Sequence, residues 1–190
     1  MLAARLRDEG LPVLETREPG GTPLGEEVRQ LLLTRDELSV VGRAEALLMN
    51  ASRAQLVESV IRPALERGNV VVCDRFADST LAYQGAGRGL GMDALAPVIS
   101  FATAGLQPEV TLLLDVPVEV GLSRKHAQDQ HNRFEAEAVA FHTRVREAYL
   151  GMAAASPSRW HVLDGCLPLE TLSAQIWSVV AARLGLRIVE

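Results

Sequence analysis

The 190-residue sequence predicts an α/β fold, a parallel sheet covered by helices on both faces, and three observations carry that expectation. Val70-Val-Val-Cys73 and Val110 to Asp115 are near-continuous apolar runs, as strands buried on both faces require. The segments between such runs repeat apolar residues three and four apart, the helical period. Strands and helices alternate along the chain with no repeat, linker or low-complexity tract, which favours one parallel sheet in one domain.

The elements follow in order. Leu2 to Leu6 reads as the end of a helix stopped by Gly10, and Pro12-Val-Leu14 as a short strand. After Thr16-Arg-Glu-Pro-Gly-Gly-Thr-Pro23, a helix is expected from about Gly25 to Leu33 on the spacing of Val28, Leu31 and Leu32. Ala46, Met49, Arg53, Leu56, Val60 and Ala64 predict a longer helix from about Gly42 to Arg67, continuing past Pro63. Val70–Cys73 then delivers Asp74-Arg75 at a strand's carboxyl end, where ligands bind in open α/β sheets. Asp78 to Gly91 reads as a polar, glycine-rich stretch, followed by a helix from about Asp93 to Thr103. Beyond the strand ending at Asp115, helices are expected at about Val118 to His126 and along the stripe Phe134, Ala138, Phe141, Val145 and Tyr149. Ala127 to Asn132 connects them. Trp160 to Leu163 is the last strand and Leu169 to Leu184 the closing helix.

Composition narrows the function. With 48% hydrophobic and 23% charged residues the chain reads as soluble and globular, and no apolar stretch reaches membrane-spanning length. Asp8 and Glu9 interrupt the region where an export signal would be apolar, so a cytoplasmic location is expected. A net charge of −5 argues against a nucleic-acid polymer as partner. Lys125 is the one lysine among 19 basic residues, so positive charge is almost all guanidinium, suited to forked contacts with phosphate. Cys73 and Cys166 lack metal or redox spacing, and His126, His131, His142 and His161 lack metal-ligand spacing.

Three strings carry chemistry. In Thr16 to Gly25, Arg17 and Glu18 sit beside a proline and two glycines, where backbone can approach a ligand closely. Asp74 can hold magnesium through water or orient an acceptor, while Arg75 can neutralise charge during phosphoryl transfer. Ser79-Thr-Leu-Ala-Tyr-Gln84 offers hydroxyls, a ring and an amide for reading a base edge.

TREPGGTPLG at residues 16–25, D-R-[aromatic] at Asp74-Arg-Phe76 and S-x-x-A-Y-Q-G at Ser79 to Gly85 together resemble the thymidylate kinases, essentially from end to end. The resemblance implies a three-layer P-loop nucleoside-monophosphate kinase fold with strand order 2-3-1-4-5. It implies phosphorylation of dTMP to dTDP, ATP as donor, Mg2+ as cofactor and a homodimer, with helices of the 43–67 region at the interface. It implies that Arg75 and Arg53 bind the acceptor phosphate and that Thr80, Tyr83 and Gln84 line the thymine and sugar pocket; Asp74, from its place at the strand end, is expected to organise magnesium and water. Met49 stands where many relatives have a phenylalanine stacked on thymine, and a thioether can still pack on a ring face. A lid at about 123–136 is implied, with Arg124, Lys125 and Arg133 over the ATP phosphates. Glu135 belongs to its D-R-[aromatic]-E motif, in which Asn132 replaces the usual aspartate.

No G-x-x-x-x-G-K-[ST] string occurs. The expectation is therefore that residues 1–190 are a single kinase domain lacking strand 1 and its phosphate loop. About twenty further residues are expected to precede Met1, and the 190 residues alone are expected to be inactive. Two rival readings are a non-catalytic nucleotide-binding relative and a kinase for another monophosphate.

Overall fold

The structure, a computed structural model, describes residues 1–34, 38–127 and 137–186, without the side chains of 125–127. Its frame is two parallel strand pairs. β1 (Val13–Arg17) lies against β2 (Val70–Asp74), with Val13 opposite Val70 and Arg17 opposite Asp74. β3 (Thr111–Asp115) lies against β4 (Trp160–Asp164), with Asp115 opposite Asp164. These pairs occupy the 2-3 and 4-5 positions of the expected order, and no described strand lies between β2 and β3. A cavity of about 1190 Å3 runs there, walled along its length by both strands.

Helices cover both faces. α1 (Leu2–Asp8) and α9 (Leu169–Leu184) bring Leu6, Trp177 and Ala181 onto Val13, Val70 and Val72. On the opposite face, Leu56, Val57 and Ile61 pack on Val71, Phe76 and Leu106. Alternate valines of β2 therefore feed opposite layers, as the period of two demands. α2 spans Pro23–Leu33, started by the Thr22 hydroxyl accepting from the Gly25 N–H at 2.9 Å and by Pro23 in the first turn. The expected helix of residues 42–67 is continuous but not uniform: α3 (Gly42–Leu56), a π-helical turn at Val57–Ile61, then α4 (Arg62–Glu66). The wide turn falls just before Pro63, whose ring and missing N–H a regular turn cannot accommodate.

Two expectations need correction. β1 runs on to Arg17 instead of ending at Leu14, because its polar Glu15 and Arg17 face outward on a half-covered strand. The stretch from Asp78 is helical: α5 (Ala77–Thr80) leads into a π-helical segment, Leu81–Gly87, before α6 (Met92–Thr103). Gly87 serves close packing, since a Cβ there would sit 2.6 Å from Phe141 Cε2. α7 (Val118–Ala127) and α8 (Val139–Ala155) complete the fold, with Phe141 and Val145 of α8 packed on Ala82 and Tyr83. No described helix is long and apolar enough to cross a membrane.

Candidate active site

The carboxyl end of β2 organises the site. Arg75 leaves the strand with φ of 65°, the left-handed region that a side chain with a Cβ adopts at a cost of about 1–2 kcal/mol. Such strain at a strand end is held in place by surrounding structure and clusters at functional sites. The Cys73 thiol helps by donating to the Arg75 carbonyl at 2.9 Å, and burial raises the pKa of that thiol, keeping it protonated. The Arg75 guanidinium lies over the Tyr83 ring, 5.1 Å from its centroid. Burial opposes its charge, but Tyr83, Tyr149 and Asp74 more than offset that, and the net effect raises its pKa. Asp74 stands on the cavity wall with no hydrogen bond to its carboxylate from a described residue.

Beside it a buried ion pair joins the TREPGG loop to α3. Glu18, before a cis peptide bond to Pro19, is 5% exposed and Arg53 is 2% exposed. Arg53 donates Nε to Glu18 Oε2 at 2.8 Å, with a second contact from Nη2 at 2.7 Å. Its Nη1 donates to Asn50 Oδ1 and Thr80 Oγ1 at 2.9 and 3.1 Å, and Nη2 to the Phe76 carbonyl at 3.3 Å. Every nitrogen of the guanidinium thus has a protein acceptor. Burial raises the pKa of Glu18, with the charge of Arg53 acting against it. Glu18 Oε1 has no hydrogen-bond partner among the described residues.

The remaining wall comes from the helical segment 77–87. Thr80 and Gln84, one turn apart, line the cavity with Met49 and Tyr83. Ser79 accepts a hydrogen bond from the Tyr149 hydroxyl at 2.8 Å, and burial pushes the pKa of Tyr149 up to about 12. Asp78 receives both ends of the Arg159 guanidinium at 2.8 and 2.9 Å, and Arg159 also donates to Thr111 Oγ1 at 3.1 Å. These contacts fasten the segment to β3, β4 and α8.

The structure therefore gathers Glu18, Met49, Arg53, Asp74 and Arg75 with Thr80, Tyr83 and Gln84 around one cavity. Arg17 stands apart. It donates to Glu26 at 3.1 and 3.2 Å, and Glu26 also accepts from the Gly21 N–H at 2.9 Å, which with Arg17 holds that carboxylate below its usual pKa. Arg124 is exposed on α7 and donates to the Gly165 carbonyl at 2.9 Å. The Lys125 side chain, Asn132, Arg133 and Glu135 lie outside the described residues. Sequence reasoning misses Tyr149, Asp78 and the Arg159 that holds Asp78, since their partners are remote in the chain; Tyr149 is visible only as part of an apolar stripe.

At the end of β3, Arg146 donates to both oxygens of Asp115 at 2.6 and 2.7 Å, and this lowers the carboxyl pKa against a smaller effect of burial. A lowered folded pKa contributes stability that is present above the ordinary carboxylate value and lost as pH falls through the lowered one. Thermal melts of the wild type should accordingly fall between about pH 5 and pH 3. Arg146→Ala should flatten part of that slope; an unchanged slope would remove the pair as its source.

A parallel α/β fold with guanidinium groups and a polar helix converging on one strand's carboxyl end suits a phosphorylated small ligand, the kind of site a phosphotransferase carries. The chain belongs to the thymidylate kinase family, whose profile matches residues 1–176. It is 52% identical over 175 residues to a thymidylate kinase of Pseudomonas putida strain GB-1, covering 92% of this chain and 83% of that protein. Identity to the thymidylate kinase of Thermomicrobium roseum is 52% over 181 residues, 95% of this chain and 85% of the other. With that of Pseudomonas savastanoi pv. phaseolicola it is 48% over 186 residues, 98% and 89%.

Proposed function

We propose that the reaction this site serves is phosphorylation of dTMP to dTDP with ATP as donor, and that Arg75 takes the acceptor phosphate. The observation that carries this reading is the Arg75 guanidinium held by a strained backbone at the carboxyl end of β2, on the same cavity as Thr80, Tyr83, Gln84 and Met49. Arg53 is the second arm, and its role is unequal. A phosphate reaching it has to displace Thr80 or the Phe76 carbonyl, while its bond to Glu18 keeps the guanidinium aimed. Met49 packs on the base face and leaves room for a 5-methyl, whose burial contributes about 0.8 kcal/mol, so preference over the unmethylated base is modest.

Phosphoryl transfer asks for positioning and charge neutralisation more than for acid–base chemistry, which suits a site of arginines and helix-borne hydroxyls. Among the described residues no cluster of three potential ligands could hold a metal. A magnesium ion held largely by nucleotide phosphates and water needs one or two carboxylates, and Asp74 fits as one through water. When bound, the metal would neutralise phosphate charge. Arg124, Lys125 and Arg133 are assigned to a lid of residues 123–136 over the donor phosphates, within a single domain. The same reading includes a cytoplasmic homodimer meeting through the 43–67 helices, where Leu47 and Leu65 are exposed.

The test is calorimetric affinity for dTMP, dUMP, dCMP and dGMP, which reads the acceptor pocket independently of any donor site, with ATP- and Mg2+-dependent phosphorylation followed for each. dTMP should bind best and, where transfer occurs, be the preferred acceptor. Preference for dCMP or for a purine monophosphate would sink this reading.

A further inference from the structure

Glu45, on the first turn of α3, is a carboxylate with no exposed surface. It accepts a hydrogen bond from Gln84 Nε2 at 2.8 Å, and Arg88 reaches it with Nη2 at 3.3 Å and Nε at 3.4 Å. Arg88 is also paired with Glu137. A carboxylate only accepts, so the Gln84 amide has to turn its nitrogen toward Glu45 and its oxygen away. Gln84 is 1% exposed and lines the cavity, and no described donor reaches its Oε1. The Thr80 oxygen, one turn earlier, already accepts from Arg53, which leaves its hydroxyl to donate.

From this geometry we propose that Glu45 is a positioning residue for base selection: it makes Gln84 present a hydrogen-bond acceptor and so favours a pyrimidine carrying an N3–H over one with a bare N3. The inference rests on the pyrimidine-monophosphate reading above. With the phosphate anchored at Arg75, the ring keeps one register. N3 of a 4-oxo pyrimidine then donates to Gln84 Oε1, whereas N3 of a 4-amino pyrimidine sets a lone pair against it. Rejection by an unpaired buried polar group is a stronger filter than a methyl-sized pocket.

The experiment is calorimetric affinity for dTMP and dCMP in the wild type, Glu45→Gln, the exchange Glu45→Gln/Gln84→Glu, and Gln84→Leu, each checked by thermal melt. Wild type should favour dTMP. Glu45→Gln lets the amide face either way, and the dTMP/dCMP ratio should drop about tenfold, the scale of one mismatched hydrogen bond. In the exchange variant the amide, now on α3, donates to the carboxylate, now on the cavity wall. The second oxygen of that carboxylate again faces the base as an acceptor, and the ratio should return. Should Glu45→Gln fail to fold, Gln84→Leu, which keeps Glu45 paired with Arg88, carries the test with the same expected drop. A purely structural role would weaken both ligands equally, and an unchanged ratio in whichever of these two variants folds overturns the proposal. A wild type that binds neither pyrimidine monophosphate would instead overturn the functional reading.

Discussion

Arg75→Ala should weaken dTMP binding by about 10- to 150-fold, the equivalent of roughly 1.5–3 kcal/mol for a charge-assisted contact to phosphate, while leaving the fold intact. The comparison that isolates the guanidinium is Arg75→Gly. Alanine keeps a Cβ at φ of 65°, so the backbone strain persists; glycine adopts that conformation without steric cost. Both variants should lose the same affinity. Arg75→Gly should nevertheless be more stable than Arg75→Ala by about 1 kcal/mol in urea unfolding. Equal dTMP affinity in wild type and Arg75→Ala, measured by calorimetry, would remove Arg75 from the acceptor site. Equal stability of the two variants would show that the left-handed backbone costs nothing there.

The largest stability effect is expected at the pair between Glu18 and Arg53. Arg53→Met strands a carboxylate that is 5% exposed, and breaking a buried pair from one side costs about 3–5 kcal/mol. For a chain of this size that is a melting-temperature loss of about 6–20 °C. The loss should also depend on pH. Burial already raises the folded pKa of Glu18, and Arg53 works against it. Without Arg53 the folded pKa rises further. A raised folded pKa contributes stability that is present below the unfolded value and lost as pH rises through the folded one. Arg53→Met should therefore lie closer to wild type at pH 5 than at pH 8 in paired melting curves. A deficit that is the same at both values would mean that Glu18 does not become buried and charged alone. Glu18→Gln/Arg53→Met, which removes the charge as well, should recover part of the loss and most of the pH dependence.

These two arginines show how much is legible in the sequence. Arg75 is marked by its place just after the apolar run Val70–Cys73, because a buried parallel strand can be recognised locally and its carboxyl end is where ligands bind. Arg53 is visible as one residue of a helical period, but its engagement with Glu18, Asn50, Thr80 and Phe76 joins separate places in the chain. No spacing rule reports that. α9 runs over the expected Leu169–Leu184, since its apolar period and terminal glycine are local signals. The stretch from Asp78 to Gly91 misleads because glycine marks two things, a flexible turn or a close approach. The Phe141 ring over Gly87, contributed from far along the chain, decides for the second. Glu45 gives no sequence signal as part of the site, because a carboxylate on a helix's first turn usually reads as a favourable surface charge near the helix dipole.

The Asp78–Arg159 pair has a mechanical consequence. β1–β2 and β3–β4 are separate hydrogen-bonded ribbons, and Arg159 grips Asp78 at one end while touching Thr111 beside the root of the other ribbon. Ser79 and Thr80 follow Asp78 immediately in α5. Any sliding of one ribbon past the other is therefore delivered, through a rigid two-pronged linkage, to the hydroxyls on the cavity wall. In engineering terms the pair is a tie rod: it sets the width of the cleft and makes that width a property of the whole scaffold.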